Sequence, residues 1–125
     1  MKYIDFLDKA VERKAQYEEI GVNQTFGQAY FSALRNGNET VDFNYVIWDS
    51  DVDPILADCR RFGVTEFTVS STFSSLVQII AAFVDRGCRL DGMTKVKGTY
   101  DAPGTDERIL IPAFLLRVGQ EGDHA

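Results

Sequence analysis

Six hydroxyl and aromatic residues, Ser70-Ser71-Thr72-Phe73-Ser74-Ser75, form the densest run of side chains in this chain with potential chemistry. The run follows an alternating segment, Glu66-Phe67-Thr68-Val69, and precedes apolar residues at helical spacing, Leu76, Ile79, Ile80, Phe83 and Val84. Hydroxyls at a strand-to-helix turn cap the free N–H groups of the helix. The same N–H groups and the helix dipole favour an anion such as phosphate. Ser70, Ser71, Thr72 and Ser74 are therefore one candidate anion-binding set. The run has no glycine to admit a phosphate to the backbone and no P-loop lysine. Capping alone accounts for its position.

Other reactive types are sparse. The single histidine, His124, sits at the C-terminal end of the sequence, a poor place to hold a general base in register. Cys59 and Cys88 make no CxxC pair and read as buried, reduced thiols. Asp49, Asp51 and Asp53 alternate like the start of a calcium loop, but Pro54 and Arg60 stand where that loop needs glycine and glutamate. The residues imply no catalytic set, no metal site and no cofactor.

The formal net charge is −6, and its distribution is uneven. Between Asn36 and Cys59 lie Glu39, Asp42, Asp49, Asp51, Asp53 and Asp58, with no Lys or Arg. Elsewhere acids and bases balance. An acidic chain lacks the basic face that nucleic acid requires. An acidic segment instead suits a basic protein surface, with Asp42, Asp49, Asp51 and Asp58 as the contacting carboxylates. Nothing approaches 18 consecutive apolar residues, so no membrane span is expected. The opening residues show no secretory h-region, which predicts a cytoplasmic protein.

The elements that would position these residues follow from periodicity. Ile4, Leu7, Val11 and Ala15 predict a first helix over Tyr3–Ile20, stopped by Gly21. Thr25 is placed to cap a second over Phe26–Leu34, which Asn36-Gly37-Asn38 ends. Residues 41–47 fit a short strand or one helical turn, and are read as an irregular or helical connection carrying Trp48 into the core. Asp53-Pro54 predicts a third helix start, with Asp53 as N-cap, a buried face of Ile55, Leu56, Cys59 and Phe62, and Gly63 at its end. The strand-helix-strand unit from Gly63 to Gly92, with Gly87 as helix stop, predicts two parallel strands in one sheet. Leu90–Tyr100 and Arg108–Val118 predict a hairpin around Pro103-Gly104, with Pro112 at an edge or bulge. The fold expected is α+β: three N-terminal helices followed by a β-α-β-β unit. It forms one domain over residues 1–119, a small mixed sheet covered by helices, with a polar tail at 120–125.

The run IWDSDVDPILADCRRFGVTEFTVSSTFSSL, with the later GCRLDGM, resembles a family of small uncharacterised bacterial proteins of gut Firmicutes type, found in accessory or mobile-element gene clusters. The resemblance transfers no activity, cofactor or catalytic residue. It implies an accessory or regulatory role rather than a housekeeping enzyme. The function expected is a non-enzymatic interaction domain using the acidic surface around residues 36–59; a small anionic-ligand site at residues 70–75 is the alternative.

Overall fold

The computed structural model describes residues 21–119. The predicted helix at Tyr3–Ile20 and the tail at 120–125 lie outside the described residues.

Helix α1 (Gln24–Asn36) is capped by Asn23, whose Oδ1 accepts the Phe26 N–H at 2.9 Å. Thr25, the expected cap, donates instead to the Asp51 carboxylate at 2.9 Å. Phe26, Ala29, Tyr30 and Ala33 repeat at helical spacing and are all buried. Gly37, at φ +82°, closes the helix in the left-handed region that suits glycine.

Strand β1 (Asp42–Phe43) is only two residues long. A 3₁₀ turn at Asp49–Asp51 leads into α2 (Val52–Phe62). This helix begins ahead of Asp53, so Asp53 is not its cap; its carboxylate pairs with Arg86 Nε at 2.6 Å. Pro54 stays harmless because the first turn has unpaired N–H groups in any case. Ile55, Leu56 and Cys59 are buried and Phe62 partly so. After Gly63 come β2 (Glu66–Val69), α3 (Leu76–Asp85), β3 (Arg89–Asp101) and β4 (Arg108–Arg117).

The protein is α+β with a small mixed sheet, but the expected element order is wrong. Among the described residues the order is helix, strand, helix, strand, helix, strand, strand, with β1 lodged between α1 and α2. The sheet order is β1-β2-β4-β3. β1 pairs parallel with β2, and β4 pairs antiparallel with both β2 and β3. β2 and β3 thus run in the same direction, with β4 inserted between them.

β2 pairs only with residues 114–117 of β4, so the outer half of the β3–β4 hairpin reaches past it. Pro112 lies in that outer half. It sits on an inner strand whose β2 side is open there, so its missing N–H breaks no ladder with β2. At the other edge, Asn38 acts as a substitute strand. Its Oδ1 accepts the Lys97 N–H at 2.8 Å and its Nδ2 donates to the Lys97 carbonyl at 2.9 Å. That occupies one exposed rung of β3, a position otherwise open to chance pairing.

The core gathers the three described helices against the Phe43, Phe67 and Leu116 side of the sheet. Phe67 is the hinge of its aromatic stack, with ring centroids 5.2 Å from Phe43 and 5.1 Å from Phe83, both edge-on. Trp48 is absent from this core. It is 65% exposed, which overturns the expectation that residues 41–47 carry it inward.

Candidate functional site

The four acids of the expected binding face do not share a surface. Asp42 and Thr68 are paired across β1 and β2, and Asp42 is only 1% exposed. Its carboxylate accepts the Thr68 hydroxyl at 2.7 Å and the Ser70 hydroxyl at 2.8 Å. Burial pushes its pKa up from the ordinary range, against the pull of those two hydrogen bonds. Asp58 is also buried and accepts the Asn23 N–H at 2.7 Å, tying α2 to the start of α1. Burial raises its pKa too, opposed by that bond and by the Arg61 charge. Both side chains hold the fold together and neither is available to a docking partner.

Asp49 is exposed, and Asp51 is half-buried. Asp51 accepts three bonds: from Thr25 Oγ1 at 2.9 Å, the Trp48 N–H at 3.1 Å and Asn23 Nδ2 at 3.3 Å. The Thr25 and Asn23 bonds fasten the 48–51 turn onto the start of α1, and the Trp48 bond closes the turn itself. Neither Asp49 nor Asp51 takes part in an ion pair among the described residues. Two carboxylate charges therefore stand without a cation partner among the described residues.

The turn that Asp51 fixes carries what the sequence reading missed. Tyr45 is 56% exposed, and Val46 and Trp48 are exposed beside it. Together with Phe31 and Arg35 of α1 they line a cleft of about 690 Å³ that ends at Asp51. The Arg35 guanidinium lies 4.7 Å from the centroid of the Phe31 ring. Exposed aromatic residues grouped around one concavity are the composition of an interface rather than of scattered surface. A usable signal was present: Trp48 is followed by Asp49-Ser50-Asp51, a polar run that does not continue into a core.

The hydroxyl run has a different geometry from its sequence reading. α3 begins at Leu76, and the preceding Ser75 makes no capping bond with its side chain. Ser70 donates to Asp42. Ser71 is buried with no partner for its hydroxyl, and Thr72 and Ser74 are exposed. A cleft of about 270 Å³ does lie here, bounded by Asn44, Ser71, Thr72 and Tyr100 among others, and none of its lining residues is basic. An anion there would meet no cation among the lining residues, and the Ser70 hydroxyl is already committed to the buried Asp42 carboxylate. The chemistry of this corner suits hydrogen-bond donors better than phosphate.

Cys59 and Cys88 are free and buried, and burial raises both thiols. Such thiols are poor nucleophiles at neutral pH. Among the described residues no three His, Cys, Asp or Glu side chains converge as a metal site, and no helix is long and apolar enough to cross a membrane.

Comparison with curated proteins and with solved structures gives no match. Comparison with protein families gives one, a domain of unknown function, DUF7698, over residues 25–118. That span runs from the second residue of α1 through β4 and includes Asp51 and every lining residue of the aromatic cleft except Gln24. By that match over most of its length, the chain belongs to the DUF7698 family.

Proposed function

We propose that this protein is a non-enzymatic accessory or regulatory interaction domain, acting in the bacterial cytoplasm, that docks a basic partner at the Tyr45–Trp48 cleft. One observation carries the reading. Exposed Tyr45, Val46 and Trp48 stand directly beside Asp49 and Asp51, whose charges no described cation neutralises. Aromatic anchors supply contact area, while the carboxylates steer a basic surface towards them. Asp49 and Asp51 keep the role expected of the acidic segment. Asp42 and Asp58 drop out because they are buried.

Trp48 is the sole tryptophan, so its fluorescence reports on the cleft alone. Titration with a lysine-rich peptide is expected to perturb it. Asp49→Lys should weaken that binding about three- to tenfold at low ionic strength, since an exposed charge contributes up to about 1 kcal/mol. The difference should vanish near 1 M salt, where the Debye length is only about 3 Å. Equal affinity and equal salt dependence for the two proteins would refute a basic partner at this site.

A further inference from the structure

The two ends of the cleft carry opposite charge. Asp51 closes it beside Thr25, at the first turn of α1. Arg35 closes it at the last turn of the same helix. No ion pair among the described residues involves Arg35, whose guanidinium rests on the Phe31 ring. Between the two ends lie Gln28 of α1 and the exposed aromatic side chains of the 45–48 segment.

The helix sets the length of this trough. Thr25 and Arg35 are ten residues apart, which at about 1.5 Å per residue gives about 15 Å. An extended peptide rises about 3.3 Å per residue and covers that distance with about five residues. A helical occupant would need twice as many residues for the same span.

We infer that the cleft holds an extended partner segment of about five residues, basic at the Asp51 end, apolar in the middle and acidic at the Arg35 end. This rests on the reading of the cleft as a docking surface and adds its specificity. A uniformly basic segment would bring a cation against Arg35; a uniformly acidic one would bring a carboxylate against Asp51. Each misfit is a repulsion, and repulsion is how a site rejects close competitors. The aromatic floor accepts many apolar side chains, so charge order carries the selectivity.

The test is a bead-displayed pentapeptide library, varied over Arg, Leu, Tyr and Glu at every position and screened with the full chain. Sequences with one Arg and one Glu separated by three or four positions should be enriched roughly tenfold over all-basic sequences, a difference of about 1.4 kcal/mol. Arg35→Glu should reverse the choice and favour Arg at both ends. Arg35 is exposed, so this variant is expected to melt like the parent. Enrichment of all-basic sequences by parent and Arg35→Glu alike would overturn the bipolar inference and leave the basic-partner reading intact. Enrichment that Trp48→Ala does not abolish, together with a lysine-rich peptide indifferent to Asp49→Lys, would sink both.

Discussion

Replacing Phe67 with alanine is expected to cost about 3–5 kcal/mol, the largest stability loss of any single truncation considered. Phe67 is 0% exposed and sits on β2 between Phe43 of β1 and Phe83 of α3. Its removal opens a cavity where three elements meet, and it also forfeits two edge-on ring contacts worth about 0.5–1.5 kcal/mol each. β1 depends on this junction most, because two residues of strand cannot hold their place by backbone bonding alone. Domains of this size are stable by only about 5–15 kcal/mol, so the variant should lose about a fifth or more of its stability. Urea unfolding followed by far-UV circular dichroism gives the number. Val77→Ala provides the scale, because Val77 is 78% exposed on α3 and should change stability by less than about 0.5 kcal/mol. A Phe67→Ala loss below about 1 kcal/mol would mean that the ring stack is not the centre of the core.

Asp42 gives the second large effect, and its sign depends on the substitution. Asp42→Ala strands the Thr68 and Ser70 hydroxyls, at about 1–3 kcal/mol for buried groups left unpaired. Thr68 keeps a weaker fallback at the Val41 carbonyl, 3.4 Å away, so the lower part of that range is expected. Asp42→Asn keeps an acceptor and a donor in the same place and removes the buried charge. At pH 7 it should be as stable as the parent or more so.

The pH profile separates the two effects. Burial holds the Asp42 and Asp58 carboxyls above their ordinary value of 3.8 in the folded chain. Between that value and the raised ones, the folded chain binds more protons than the unfolded chain. Stability therefore increases as pH falls from neutral through this window, and the gain is complete near 3.8. Asp91, lowered by its bond to Arg117, works in the opposite sense but only below 3.8. Asp42→Asn should flatten the rise between neutral pH and about 4, and denaturant midpoints across that range read it directly. A parent protein that steadily loses stability over the same interval would contradict the buried-carboxylate account.

What the sequence disclosed was local, and what it concealed depended on distant partners. The buried faces of α1 and α2 were legible from the spacing of Phe26, Ala29, Tyr30 and Ala33 and of Ile55, Leu56 and Cys59, although Leu34, which shares the α1 repeat, is exposed. Gly37, Gly63 and Gly87 marked helix ends because each adopts positive φ there. The β3–β4 hairpin followed from its turn residues. β1 did not, since its two residues become a strand only through pairing with β2, 26 positions later. The Val41 and Phe43 carbonyls accept from Thr68 and Ser70, and no periodicity within residues 41–47 encodes those bonds.

The site failed to show in the sequence for a related reason. Charge can be counted along a chain, but its direction cannot. Asp42 and Asp49 look alike in a list of acids, yet one meets two hydroxyls in the interior and the other faces solvent. Ser70 looked like a helix cap and is instead the partner of Asp42. Trp48 was expected in the core, yet its turn is held outward by Asp51 bonds from Thr25 of α1 and from the Asn23 cap, neither of which is local to residues 41–51.

The most direct test of the docking surface is site-specific photo-crosslinking in cells. A benzophenone side chain at Tyr45 lies in the cleft; the same group at Val77 is a still more exposed control on α3. The account predicts a discrete adduct from position 45 that is reduced when Asp49→Lys is added, and none from position 77. Equal labelling from both positions, or an adduct at 45 indifferent to Asp49→Lys, would contradict it.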